Sequence, residues 1–282
     1  MQDYAPKIFY NYIPSNSGVK KAIKRGQILV NGIIGKTATW VNYGQVLELL
    51  ESPVTIPKIF ECKLPILFED DYMAVINKPA GLTVSGNQFK TVTNALPFNL
   101  FKSTQKDALA FPMPVHRIDN QTSGILVIAK TKTAQIELSK QFENRTVLKK
   151  YCTIVIGNIH ANQKIETPIA SKTAETSFEI IKIVKSLKFK ELSCLKVAPK
   201  TGRTHQIRIH LASINRPILG DKIYGNPELN HKGKGLFLCA SEIEFLHPKS
   251  FKKIHLKIDI PHKFKSFLVR EKRRWNTYNL IK

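Results

Sequence analysis

A nine-residue polar stretch, His116-Arg117-Ile118-Asp119-Asn120-Gln121-Thr122-Ser123-Gly124, runs directly into the continuous apolar segment Ile125-Leu126-Val127-Ile128-Ala129. An unbroken apolar run of that length reads as a buried strand. Ahead of it, Phe111-Pro112-Met113-Pro114 disfavours helix, because a proline pushes its predecessor out of the helical region. The chain must therefore hold an imidazole, a guanidinium, a carboxylate and two hydroxyls on one short loop beside a buried strand. Loops anchored in this way are where catalytic groups are commonly carried. Taken alone, the same residues also fit a polar turn closed by Asx bonds from Asp119 and Asn120.

Charge narrows the choice. The 282 residues include 44 Lys and Arg against 21 Asp and Glu, a net charge of +23, which favours a polyanionic partner. Nucleic acid and an anionic membrane surface both qualify. No apolar run approaches the roughly 20 residues that span a bilayer, and Met1-Gln2-Asp3-Tyr4 lacks the layout of a signal peptide. The expectation is a cytoplasmic protein with no membrane partner. Cys62, Cys152, Cys194 and Cys239 form no C-x-x-C pair, so neither disulfides nor a zinc site is expected.

Along the chain, Ser15-Asn16-Ser17-Gly18 is an N-cap cluster for a basic helix over Val19–Arg25, which carries Lys20, Lys21, Lys24 and Arg25 and ends at Gly26. Ile28-Leu29-Val30 enters a tight turn at Asn31-Gly32, and Gly44–Leu50 reads as a closing strand. Residues 53–63 form a Pro-containing linker. A strand at Tyr72–Asn77 then exits through Lys78-Pro79-Ala80-Gly81-Leu82. Residues 83–111 show no clear period. Beyond the central strand come a helix over Thr133–Asn144, a β-rich run at Cys152–Gly157, and strands at Ser177–Val184 and Glu191–Val197. Further strands follow at Leu236–Ala240 and Ile254–Ile260. Pro261–Arg270 reads as a last amphipathic helix, with Arg270–Trp275 a basic run that fits either a solvated tail or an RNA contact.

The stretch from His116 resembles the signature H-R-L-D-x-x-T-S-G of the RluA-type pseudouridine synthases, with Ile118 replacing Leu. Two further passages resemble that family in the same order. One is Val75–Leu82, matching I/V-x-x-K-P-x-G-[LM]. The other runs from Gly202-Arg203-Thr204-His205-Gln206-Ile207-Arg208 to Pro217-Ile218-Leu219-Gly220-Asp221. The resemblance implies an α+β fold: a mostly antiparallel mixed sheet with flanking helices and the cleft across its middle. It assigns the catalytic carboxylate to Asp119, a tyrosine beside the target base to Tyr151, and an arginine paired with the carboxylate to Arg208. It places Leu238 near the target base, and RNA contacts are expected at His116, Arg117, Thr122, Arg203 and His205 around it. Two departures stand out, Thr153 where the family has Ala and Cys239 where it often has His. The front of the chain resembles the α-L RNA-binding module of ribosomal proteins, which would put RNA on Lys20, Lys21, Lys24 and Arg25. The expected domains are then 1–52 for this module, 53–63 for the linker and 64–282 for the catalytic domain.

These resemblances imply an isomerase needing no cofactor and no metal. It would act as a monomer on RNA, with large-subunit ribosomal RNA ahead of transfer RNA. The residues also leave two rivals. One is a non-catalytic RNA-binding or ribosome-assembly protein on the same fold, against which the intact Asp119, Tyr151 and Arg208 argue. The other is a metal hydrolase built on His205 and His210, which lie five apart, a poor spacing for one helical face. If Gln206 onward is helical, Ile207, Leu211 and Ile214 form its apolar stripe, and Arg208 lies roughly 100° round from Ile207, free to enter a cleft.

Overall fold

The computed structural model describes residues 1–10, 12–13, 15–50, 58–159, 161–229 and 233–281. The chain divides into two compact units, Met1–Lys58 and Ile59–Lys282.

The first unit contains α1 (Ala5–Ile8), α2 (Asn16–Lys24), β1 (Ile28–Val30), β2 (Ile33–Ile34) and β3 (Leu47–Leu49). Ser15 caps α2, its Oγ accepting the Gly18 N–H at 3.0 Å. Val19, Ala22 and Ile23 turn inward to pack with Ala5, Phe9 and Ile28, which leaves Lys20, Lys21, Lys24 and Arg25 exposed. The β1–β2 turn is made by Asn31 and Gly32, both left-handed at φ 48 and 77. A two-residue hairpin requires that conformation, and Asn-Gly adopts it most readily. β3 closes the sheet on the other side of β1.

Of the expected linker, residues 53–57 lie outside the described residues. The part from Ile59 to Lys63 belongs to the second unit. There the Phe60 N–H donates to the Asn94 carbonyl, and Asn99 Nδ2 donates to the Cys62 carbonyl at 2.8 Å.

The second unit is built on one ten-stranded sheet. Its elements are β4 (Ile66–Glu69), β5 (Met73–Lys78), α3 (Val92–Asn99), β6 (Ala108–Pro114), β7 (Ser123–Thr131), α4 (Lys132–Glu143), β8 (Leu148–Ile156), β9 (Gln163–Ile165), β10 (Thr176–Ser186), β11 (Lys190–Pro199), α5 (Gln206–Ser213), β12 (Leu238–Leu246), β13 (Lys253–Lys257) and α6 (His262–Ile281). The strand order is β4-β5-β7-β12-β8-β11-β10-β9, with β6 added beside β7 and β13 beside β12. Among these pairings only β7–β12 is parallel.

The apolar run at Ile125–Ala129 is explained by burial on both faces. Leu126 and Ile128 pack with Ala74, Ile76 and α3, while Ile125, Val127 and Ala129 pack with Met73, Val75 and α4. A strand covered on both sides has no polar face to alternate. A third core lies under β8, β10 and β11, closed by α5 and α6. Tyr151 borders both this core and the one beneath α3.

Two segments differ from the sequence reading. Residues 83–111 hold both α3 and the start of β6. Thr91 caps α3, but Pro97 inside it and exposed Phe98 blur its period. Pro112 and Pro114 sit in β6, which is tolerable because among the described residues β6 pairs on one side only, with β7. The basic run at Arg270–Trp275 is the middle of α6, not a tail. Glu271 is buried there and accepts a hydrogen bond from Ser186 Oγ at 2.6 Å, fastening the helix to the β10–β11 hairpin.

Candidate active site

The loop ahead of β7 is pinned at several points. Lys78, at the end of β5, is fully buried and donates from Nζ to the carbonyls of Leu82, Pro79 and Asn120 at 2.7, 2.9 and 3.1 Å. The Gly81 N–H donates to the same Asn120 carbonyl, and Asn120 Nδ2 donates to Thr83 Oγ1 at 2.7 Å. His116 Nε2 accepts the Val127 N–H at 3.0 Å, and its ring stacks on Phe142 with centroids 4.4 Å apart. Gly124 sits where β7 meets β12; a Cβ there would lie 2.1 Å from the Ala240 carbonyl oxygen, so only glycine permits the approach. These contacts brace the backbone that carries Asp119.

The opposite wall is α5. Its N-cap, His205, is left-handed at φ 56. Arg208 is buried, and its Nη1 reaches Asp119 Oδ2 at 3.4 Å. Its closer partner is Asp221, gripped by Nε at 2.8 Å and Nη2 at 2.9 Å. Asp221 also accepts the N–H groups of Ile223 and Tyr224. Burial works against the charge on Arg208, but Asp221 and then Asp119 outweigh it and raise its pKa. Burial likewise pushes the Asp221 carboxyl up, and the Arg208 and backbone hydrogen bonds more than reverse this. A two-pronged grip on Asp221 fixes the guanidinium plane, leaving Nη1 to meet Asp119. His205 Nε2 lies 3.8 Å from the same Asp119 oxygen, and its Nδ1 is 3.0 Å from Tyr224 Oη. His210, the other half of the metal reading, spends both ring nitrogens on Thr176 Oγ1 and the Thr167 carbonyl, each at 2.9 Å.

Between the walls lies a cleft of about 460 Å³, lined by Asp119, Tyr151, Arg208, Thr122 and Leu238 among others. Tyr151 enters from β8, whose neighbours β11 and β12 present Val197 and Ala240 beside it. Its hydroxyl has no hydrogen-bond partner among the described residues. Burial, followed by the Asp119 charge, pushes its pKa well above that of a free phenol, so it is a neutral donor. Thr122 Oγ1 is buried without a partner among the described residues, a second polar atom left for a ligand.

The structure thus brings Asp119, Tyr151, Arg208, Thr122, His205 and Leu238 together. Arg117 and Arg203 line the same cleft, Arg203 also donating from Nε to the Thr173 carbonyl. His116 is different. Its ring is engaged by Phe142 and Val127, and burial lowers its pKa to about 3, which keeps it neutral and makes it a brace for the loop. Lys20, Lys21, Lys24 and Arg25 are on the first unit. Sequence reasoning gave no role to Lys78, Asp221, Tyr224, Arg145 or Lys149. Lys78 and Asp221 stood inside the quoted motifs, and a charged residue embedded among Pro, Gly and apolar neighbours was the signal for each.

Comparisons with known proteins point to one family. Residues 72–213 match the RNA pseudouridylate synthase family. An uncharacterized RNA pseudouridine synthase of Aquifex aeolicus is 33% identical over 280 residues, covering 89% of this chain and 88% of that protein. Ribosomal large subunit pseudouridine synthase D of Xylella fastidiosa is 33% identical, covering 83% of this chain and 78% of its own length. Among solved structures, human RNA pseudouridylate synthase domain containing 4 shares the fold with a TM-score of 0.57 at 24% identity, over 74% of this chain and 93% of that one. With Asp119, Tyr151 and Arg208 around one cleft and these relatives spanning most of its length, the chain belongs to the RNA pseudouridylate synthase family.

Proposed function

We propose that this enzyme isomerises specific uridines of large-subunit ribosomal RNA to pseudouridine, with Asp119 as the catalytic carboxylate. The observation that carries the reading is the Asp119 carboxylate, held by a braced loop, 3.4 Å from a guanidinium that Asp221 keeps in place. The choice of ribosomal RNA is supported by relatives named ribosomal large subunit pseudouridine synthases C and D.

The reaction breaks the N1–C1′ bond of uridine, turns the ring and joins C5 to C1′. The C5 proton leaves and N1 gains one, so no electrons enter or leave. Asp119 meets the glycosidic centre as an anion whose charge Arg208 balances without neutralising it by proton transfer. Tyr151 offers an apolar ring for the uracil to rest on and a phenol O–H to the detached base. Leu238 and the flanking cores exclude water from the cleaved intermediate. A base inside an RNA helix cannot reach Asp119, so the nucleotide must be turned out, with Arg117 and Arg203 at the cleft to receive its backbone.

We assign RNA gripping to residues 1–52 as well, through the exposed Lys20, Lys21, Lys24 and Arg25 of α2. The enzyme would act as a monomer, with Asp119, Tyr151 and Arg208 drawn from the same chain. The test is tritium release from uracil C5 in an unmodified large-subunit ribosomal RNA transcript. Wild type should release it, and Asp119→Asn should bind the transcript without release. Release from transfer RNA alone would move the target to that RNA.

A further inference from the structure

The mouth of the cleft holds two cations that the chemistry above does not use. Lys149 and Tyr151 are two apart on β8, so they share a face of the sheet, while Lys150 between them turns away and pairs with Glu242 at 2.9 Å. Lys149 is half-buried and lines the cleft, with its ammonium 6.0 Å from the centre of the Phe142 ring. Among the described residues it has neither an ion pair nor a hydrogen bond. Burial lowers its pKa, and the neighbouring Arg145 lowers it further. Glu143 also lines the cleft but forms no ion pair with it.

Arg145 is a second anomaly. It follows the Asn144 cap of α4 in the left-handed conformation, at φ 59. Glycine is the residue that this position favours, and a side chain there is strained. A cation at a helix C-terminus regains part of that cost from the helix dipole. The dipole does not account for a second, partly desolvated cation beside the first. Two adjacent like charges with no internal counter-charge are destabilising by themselves, and a bound anion removes the conflict.

The shared face and the shared cleft point to the anion. Two residues along a strand put their Cα atoms about 7 Å apart, so an anion at Lys149 and a uracil at Tyr151 can belong to one nucleotide. We propose that Lys149, backed by Arg145, seats a backbone phosphate of the nucleotide whose uracil lies against Tyr151. This rests on the RNA reading given above and adds a positioning role that the catalytic groups do not perform.

The test uses the full chain and fluorescein-labelled octauridylate, with binding followed by anisotropy across a potassium chloride series. For a single strand, removing one phosphate-binding cation should shallow the log–log salt slope by about 0.7. Lys149→Met should show that change and Lys149→Arg should not, whereas Lys150→Met, on the opposite face, should match wild type. With ribosomal RNA transcript as substrate, Lys149→Met should raise KM far more than it lowers kcat. Methionine can lie along Phe142, so the thermal midpoint should not fall, and Lys149→Gln gives a second variant if it does. A salt slope unchanged in both Lys149→Met and Lys149→Gln would overturn the assignment while leaving Asp119-dependent turnover intact. Absence of salt-dependent binding by the wild type would remove the RNA reading and this one together.

Discussion

The floor of the cleft and its mouth handle charge in opposite ways. On the floor, Arg208 is held between Asp221 and Asp119, and Lys78, buried outside the cleft lining, is wrapped by three carbonyls with the Asp119 charge nearby. At the mouth, Lys149 and Arg145 stand together without a carboxylate partner among the described residues, and Arg117 is exposed. Buried charges that are paired inside the protein have fixed positions, which is what a reacting centre needs. Charges left unpaired near solvent are the ones a polyanion can neutralise. On the proposed reading the contrast separates groups that do chemistry from groups that hold the ligand, and it can be broken at several points.

The largest expected effect is at Asp119. Asp119→Asn keeps the shape of the side chain and removes the anion, so tritium release should drop to background while RNA affinity stays near wild type. A variant that retained turnover would place the chemistry elsewhere.

Next comes the Arg208 network. Arg208→Met leaves Asp221 buried without its partner, and removing one member of such a pair costs about 3–5 kcal/mol. Turnover should vanish as well. Arg208→Met combined with Asp221→Asn should recover part of the stability and none of the activity. A double-mutant cycle by denaturant unfolding measures this, and additive stability changes would show that the two side chains do not act as a unit.

A smaller effect is expected from pH. Burial lowers the Lys78 pKa from 10.5 to about 8, with the Asp119 charge opposing the shift. Above about pH 8 the folded protein releases this proton while the unfolded chain keeps it up to about 10.5. The unfolded state then binds more protons, so this group makes the fold gain stability as pH rises through that window. Activity should move the other way, because a neutral amine has one donor fewer for the three carbonyls that brace the Asp119 loop. An alkaline limb in kcat/KM near pH 8, with no fall in thermal midpoint from this group, is the expected pattern. Lys78→Met should remove the limb along with most of the activity.

The smallest expected effect on turnover is in the first unit. Changing Lys20, Lys21, Lys24 and Arg25 together to Gln should weaken RNA binding and shallow its salt slope while leaving kcat near wild type. An unchanged slope would mean that α2 does not touch RNA.

Much of this molecule could be read before any coordinate. The apolar run at Ile125–Ala129 announced a buried strand, and Asn31-Gly32 announced a hairpin, because each depends on local chemistry alone. Asp119 and Arg208 stood out because each sits in a motif of fixed spacing, whereas Tyr151 was marked only by the family resemblance. The β6 strand was not legible, since Pro112 and Pro114 argue against a strand unless one knows that its outer edge has no partner among the described residues. The full length of α6 was hidden for a similar reason. Glu271 in a basic run looks solvated until Ser186, 85 residues earlier in the chain, is found against it. What the chain determined by itself was which groups it carries, their local order and the elements that hold them. Only the tertiary structure decided which charges find partners. Asp221, in the loop after α5, meets Arg208, and Lys78, at the end of β5, meets the Asn120 carbonyl in the loop ahead of β7. Lys149 meets neither carboxylate nor carbonyl among the described residues, because β8 places it in the cleft lining. Pairing of charges depends on distances across the fold, and no spacing along the sequence encodes those distances.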